Sequence, residues 1–320
     1  MNDPQFDQTL LQHSEVFAEL RDLFQLMATQ GKETVSPNAF FEAVGKRKPR
    51  YRDMAQQDAE EFLRDCLQML REDIQEIENQ DHIVLPPCID NVFRFNSLVT
   101  LQCPDCQRRR EHAHEELTLK LYLPLLSESD NTFDQVCAFL RVCLCFLSVC
   151  MCSLQWDLIS LVSRQTRESS RDFRCQCQAK TVTSLTSFES LPQMLAIHVS
   201  RRLADGTKRH ASIELKPVLN LEQFIVHSNE TREQLTMVSG NGRKRRGETN
   251  PTEKRRRVAA EFQLWAVVFH KGGTGLRGHY TVTVLNNDGE WEEHDDATVV
   301  KKQELPHFSR TAYLLFYQRA

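Results

Sequence analysis

The chain has 320 residues, with 40 Lys and Arg against 44 Asp and Glu for a formal net charge of −4, and it carries eleven cysteines. Its length suits one large domain or two ordinary ones with a substantial buried core. The near-neutral balance excludes a global nucleic-acid footprint, so no nucleic-acid partner is expected and any basic function must be local. The opening Met1-Asn2-Asp3-Pro4-Gln5-Phe6-Asp7 has neither a basic n-region nor an apolar h-region, which predicts reduced thiols in cytosol or nucleus and not a secreted disulfide framework.

From residue 7 to 77 the apolar spacing is helical, with Leu10, Leu11, Val16, Phe17, Leu20, Leu23, Phe24 and Met27 recurring on one stripe. Lys46-Arg47-Lys48-Pro49-Arg50 reads as a loop, and Asp58 stands where an N-cap belongs, ahead of a face made of Phe62, Leu63, Cys66, Leu67 and Leu70. Residues 1–88 therefore form a helical portion. From residue 89 short alternating runs take over: Phe93-Arg94-Phe95, Leu117-Thr118-Leu119-Lys120-Leu121, then 194–199, 264–269 and 280–285. A helical portion followed by antiparallel strands is an α+β arrangement.

Two stretches break this order. Residues 136–162 hold an apolar run in which five of the eleven cysteines lie between residues 137 and 152. Its charge-free core, 142–154, is shorter than the roughly 20 residues a bilayer span requires, and Arg141 and Asp157 bracket it, so no membrane partner is expected. The run reads as a buried helix or as an insertion foreign to the domain, and we expect it to be dispensable for folding. Residues 229–258 contain Arg243-Lys244-Arg245-Arg246 and Lys254-Arg255-Arg256-Arg257, separated by a polar, breaker-rich spacer. That composition predicts a disordered loop, and two basic clusters at this spacing suit an importin groove; the alternative is a solvated loop with no reader.

The densest chemical signal comes late. Gly278-His279-Tyr280 sets a histidine at a strand start, and after a turn at Asn286-Asn287-Asp288-Gly289 the chain returns through Trp291-Glu292-Glu293-His294-Asp295-Asp296. An acid 16 residues after His279 can hydrogen-bond its imidazole across a strand pair, which is the orienter-and-base half of a cysteine or serine hydrolase. A plain β-hairpin with a satisfied surface histidine is the competing reading. Cys103-Pro104-Asp105-Cys106 is a zinc half-site, and Cys175-Gln176-Cys177 is its candidate partner; a Cys-x-Cys chelate needs a turn between its ligands that the sequence does not declare, so two metal-free pairs remain open.

Six blocks in fixed order then carry a resemblance. They are Gln56-Gln57-Asp58-Ala59-Glu60-Glu61-Phe62-Leu63, Cys103-Pro104-Asp105-Cys106, Leu191-Pro192-Gln193-Met194-Leu195-Ala196-Ile197-His198-Val199, Ala266-Val267-Val268-Phe269-His270-Lys271-Gly272, Gly278-His279-Tyr280, and Ala312-Tyr313-Leu314-Leu315-Phe316-Tyr317. Together they resemble the ubiquitin-specific protease family of deubiquitinating cysteine proteases. The resemblance implies a papain-like α+β fold with a thumb (1–88), fingers (89–190) and palm (191–320). It also implies thiol-dependent hydrolysis of ubiquitin conjugates with no cofactor required for catalysis, and a structural zinc on Cys103, Cys106, Cys175 and Cys177. In that likeness His279 is the general base, Asp295 its orienter and Asp296 a helper of the oxyanion or water network, while Gly272, Gly273 and Gly275 belong to a loop over the ubiquitin tail. His198, His270 and His294 are expected to be structural.

The likeness has gaps. The family's nucleophile box, roughly Gly-Asn-Thr-Cys-Tyr, has no counterpart here, and with it goes the oxyanion donor. The first cysteine is Cys66, inside the helix that Gln56-Gln57-Asp58 opens. The chain thus looks like the family domain beginning just after its catalytic cysteine, N-terminally truncated relative to it. Ser200-Arg201-Arg202 replaces the usual Lys-Arg-Phe, and Glu60 stands where a histidine is common. Two rival roles follow: a non-catalytic ubiquitin-binding pseudoprotease, and a nuclear interaction module working through the basic loop.

Overall fold

The computed structural model describes residues 12–29, 34–53, 55–81, 88–123, 155–166, 169–172, 175–203, 205–226, 260–274 and 277–320. The helical part consists of α1 (Glu15–Thr29), α2 (Asn38–Arg47), a 3-10 turn at Pro49–Tyr51, the long α3 (Ala59–Asp81) and the short α4 (Cys88–Phe93). Asp58 caps α3, its Oδ1 accepting the backbone N–H groups of Glu60 and Glu61 at 2.9 and 3.2 Å. The α3 stripe of Cys66, Met69 and Leu70 packs with Val16, Phe40, Ala43, Val44 and Tyr51, with Phe62 against them. On α1 the apolar stripe is longer than the surface it covers. Val16 is buried, whereas Phe24 and Met27 near the helix end are exposed.

Three sheets follow. The first, in order β2-β1-β6-β5, pairs β1 (Phe95–Gln102) with β2 (Arg109–Glu116) and with β6 (Thr181–Phe188), and β5 (Ser169–Asp172) flanks β6. The main sheet runs β13-β12-β11-β10-β15-β7-β3, with β9 (Val218–Asn220) beside the start of β10. Its strands are β3 (Leu119–Tyr122), β7 (Met194–Ser200), β10 (Glu261–Lys271), β11 (His279–Leu285), β12 (Trp291–Asp295), β13 (Thr298–Lys302) and β15 (Ala312–Arg319). Every pairing in it is antiparallel except β3 with β7. A small third sheet joins β14 (Phe308–Ser309), β8 (Ser212–Glu214) and β4 (Gln155–Trp156). The mixed helix-and-sheet architecture is the α+β arrangement expected. Along β10 Phe262 and Leu264 and, past the irregularity between Leu264 and Ala266, Val267 and Phe269 line the main core.

One expectation is corrected at its boundary. Residues 158–162, counted with the foreign apolar run, belong to α5 (Leu158–Thr166), which Asp157 caps through the N–H of Ser160 at 3.0 Å. Leu158, Leu161 and Val162 lie in the main core beside Leu121, Ile197 and Ile213. Asp157, read as a charge closing the run, starts an amphipathic helix instead. Residues 136–154 and the basic loop 229–258 lie outside the described residues. Among the described residues, no helix is long and apolar enough to cross a membrane.

Candidate active site

Strand β10 and strand β11 meet at Lys271↔His279. The turn between them leaves β10 through Gly272, whose φ of +151° and close approach to the Arg277 carbonyl exclude a side chain. Gly278 is tighter still: a Cβ there would lie 2.1 Å from His270 Nε2 and 2.5 Å from the Lys271 carbonyl. Thr274 closes the turn, its hydroxyl accepting the Arg277 N–H at 3.1 Å. Lys208, buried, donates to the carbonyls of His270 at 2.6 Å and Gly272 at 3.3 Å, so a cation anchors the end of β10. Burial lowers its pKa.

His279 is presented at the head of β11. Its Nε2 meets Asp295 Oδ1 at 2.5 Å, and that carboxyl sits below the ordinary range because the His279 hydrogen bond favours its charged form. The hairpin that returns Asp295 is fixed by Asn286, whose side-chain oxygen accepts the N–H groups of Asp288 and Glu290, with Gly289 at φ +79°. Asp296 adopts a left-handed φ of +49° and turns the chain into β13, while Thr298 pairs with Asp295. One polar atom each from His279, Asp295 and Asp296 falls within a 4.8 Å cluster. The three expected residues are thus brought together. With Nε2 engaged by Asp295, Nδ1 is the nitrogen left to take or give a proton.

The helical part closes on this corner. The Gly278 N–H donates to Gln56 Oε1 at 3.3 Å, and Tyr313 on β15 donates its hydroxyl to Asp58 Oδ2. Around that contact His270 stacks on Tyr280 at 4.5 Å, and Tyr313 meets the edges of both His198 and His270. His198 and His270 are buried, and desolvation holds their protonation down, to about 4 for His198. These two are packing residues, as expected. Their neighbour Tyr280 is pushed up to about 12 by burial. Buried Glu60 accepts the Thr118 hydroxyl at 3.0 Å and lies 3.8 Å from His198 Nδ1, outside hydrogen-bond reach.

Cys66 is buried in the helical core, where desolvation pushes its thiol up to about 12. Cys66 is thus a packed helix residue, as expected. Four more thiols, in the β1–β2 turn and the turn before β6, converge. Cys103 and Cys177 are 3.5 Å apart, Cys106 and Cys175 are 3.6 Å apart, and all four sulfurs lie within 4.8 Å of one another. Tetrahedral zinc with roughly 2.3 Å bonds sets its sulfurs about 3.8 Å apart, so the four fit that ion. The turn that the Cys175-x-Cys177 spacing demanded is present: Gln178, at φ +73°, returns its N–H to the Cys175 carbonyl at 2.9 Å. Gln107, at φ +57°, does the same for Cys103 at 3.0 Å. Cys175 is lowered to about 7, first by the Cys177 N–H and then, against desolvation, by the neighbouring thiols; its partner Cys177 is raised to about 12, the other sulfurs outweighing the Ala179 N–H.

Residues 2–317 match the family described as ubiquitin carboxyl-terminal hydrolase. The chain belongs to the ubiquitin carboxyl-terminal hydrolase family. Among curated relatives it is 22% identical over 324 residues to ubiquitin carboxyl-terminal hydrolase 44 of Ailuropoda melanoleuca, covering 96% of this chain and 42% of that protein. It is 22% identical to ubiquitin carboxyl-terminal hydrolase 44-A of Xenopus laevis, covering 95% and 41%. With ubiquitin carboxyl-terminal hydrolase 2 of Gallus gallus it shares 24% over 332 residues, 95% of this chain and 80% of the relative. The chain therefore spans about two fifths of the length of the first two. Within a ubiquitin carboxyl-terminal hydrolase, the features that sequence reasoning missed are the second role of Asp58, the bond from Gln56 to Gly278, and the lysines at 208 and 271. Only Gln56-Gln57-Asp58 carries a signal in the sequence, as a helix start and as part of a family block, and neither announces these contacts.

Proposed function

We propose that this chain carries the ubiquitin-binding surface and the proton-transfer half of a cysteine deubiquitinase in a papain-like fold, and that by itself it binds ubiquitin weakly without cleaving it. The observation that carries the reading is the 2.5 Å His279–Asp295 pair, set where the helical part meets the main sheet. Residues 1–88, 89–190 and 191–320 take the thumb, fingers and palm roles. In a catalytic family member a cysteine thiolate attacks the carbonyl carbon at ubiquitin's C-terminal glycine, the bond to the lysine amine breaks, and water later hydrolyses the thioester. His279 would take the thiol proton on Nδ1 and return one to the leaving amine. Asp295 would hold the ring and stabilise the imidazolium, with Asp296 supporting the water network.

The cysteines favour a binding role for the chain alone. Residues 1–65 contain none, and among the described residues Cys66 and Cys88 are raised by burial while Cys103, Cys106, Cys175 and Cys177 face one another. A zinc held by those four would tie the β1–β2 turn to the residues before β6 and supply structure, not chemistry. The partners are ubiquitin and ubiquitylated proteins, with no nucleic acid or membrane. Importin recognition of residues 243–257 would distribute the protein between nucleus and cytoplasm, and deleting that stretch should abolish nuclear accumulation. Incubation of the 320-residue chain with a ubiquitin C-terminal electrophile tests the main reading. It should give no covalent adduct, and a fluorogenic ubiquitin substrate should turn over no faster than in buffer. Robust turnover that His279→Ala abolishes would overturn the claim that the chain lacks its own nucleophile.

A further inference from the structure

The orienter is itself held. Asp295 is the last residue of β12 and is followed at once by the left-handed Asp296, so its side chain projects from a strand end with little packing to restrain it. His279 takes one of its oxygens, Oδ1, and Lys271 Nζ lies 3.5 Å from the other, Oδ2. Lys271 is opposite His279 in the β10–β11 register, so both side chains stand on the same face of the sheet. The ammonium is tethered in turn: Glu293 Oε1 is 3.2 Å away, and the second oxygen of Glu293 receives Lys302 at 2.7 Å. A chain of alternating charge, Lys302, Glu293, Lys271 and Asp295, ending on the His279 ring, thus crosses β13, β12, β10 and β11. Of these links Glu293 is the least exposed, which fixes the middle of the chain.

We propose that Lys271 is the positioning residue of the His279–Asp295 pair, holding the aspartate by one carboxylate oxygen so that the other faces the imidazole. Because the two donors use different oxygens, they cooperate and do not compete for one lone pair. The groups facing Asp295 are His279 from β11, Lys271 from β10, its neighbour Asp296, and uncharged Thr298 opposite it on β13. Lys271 is therefore the second donor on that carboxylate, after the His279 imidazole, and it is opposed by Asp296. The inference rests on reading His279 and Asp295 as base and orienter.

The test is a carbon-detected NMR titration of the Asp295 carboxyl in the full chain, run on the wild type, Lys271→Met and Lys271→Arg. Lys271→Met should raise the Asp295 midpoint by about half a pH unit and average its side-chain coupling constants over several rotamers, while Lys271→Arg should restore both. An unchanged midpoint and a single rotamer in Lys271→Met would overturn the proposal, as would a shift that Lys271→Arg fails to reverse. Ubiquitin binding measured on the same samples tests the underlying functional reading separately. A chain that ignores ubiquitin yet shows the Asp295 shift loses that reading and keeps this one.

Discussion

Gly278→Ala puts the geometry of the site under the most direct strain. The added methyl would meet His270 Nε2 at 2.1 Å, His270 Cδ2 at 2.7 Å and the Lys271 carbonyl at 2.5 Å. His270 cannot step aside, because its ring is buried, stacked on Tyr280 at 4.5 Å and edged by Tyr313. The Lys271 carbonyl is backbone of β10. A gap of about 1 Å must therefore open at the head of β11, and overpacking of this kind costs about 1–3 kcal/mol. His279 is the next residue, so the same movement should break its bond to Asp295, whose carboxyl would return toward its ordinary range. Urea unfolding and the Asp295 titration together read both effects. Gly273→Ala is the control, since no heavy atom lies within 4 Å of its Cβ. An alanine at 278 that leaves both stability and the Asp295 midpoint unchanged would refute the close-approach argument.

Leu161→Ala should destabilise the chain by about 2–5 kcal/mol, as deletion of a fully packed leucine does, because Leu161 is buried in the main core; a loss under about 1 kcal/mol in equilibrium unfolding would show that α5 is peripheral. Elemental analysis should find one zinc per chain, lost in Cys103→Ser and retained in Cys143→Ser, and ready alkylation of all four thiols in protein without zinc would contradict the site. His198 gives the acid limb. Burial lowers its folded pKa to about 4 from an unfolded value near 6.5, so the unfolded chain binds the extra proton between those values. Its contribution is fully present above pH 6.5 and is lost, by about 3 kcal/mol, as pH falls to about 4. His198→Phe, which keeps the ring packed on Tyr313, should flatten the stability curve in that window; an equally steep curve would assign the acid sensitivity elsewhere.

What the sequence disclosed depended on whether the signal was local. The histidine at a strand start, the turn at residues 286–289 and an acid returning beside it follow from local alternation around turn residues, and the cysteine pairs from their spacing; the choice of Asp295 over Asp296 rests on the family resemblance. Whether Cys175-x-Cys177 closes on Cys103 and Cys106 depended on Gln178 entering the left-handed region, which no residue type there announces. The 158–162 boundary was hidden because hydropathy merges α5 with the apolar run before it, and only burial of Leu158 and Val162 separates them. On α1 the helical period was right, but period does not say how far a partner surface extends, so Phe24 and Met27 were assigned to a face that stops short of them. Lys208 and Lys271 were unreadable for a different reason. Each binds groups brought near by sheet pairing, Lys208 to the carbonyls 62 and 64 residues on and Lys271 to a carboxylate on β12.

The central claim is that the chain recognises ubiquitin at the corner where His279 and Asp295 meet. Titration of isotope-labelled ubiquitin with the 320-residue chain, followed by NMR, tests it most directly. The account predicts saturable shifts that include ubiquitin's C-terminal tail, with the tail intact after prolonged incubation and the tail shifts reduced by Gly272→Ala. Ubiquitin resonances that do not move at millimolar concentrations of the folded chain would contradict it.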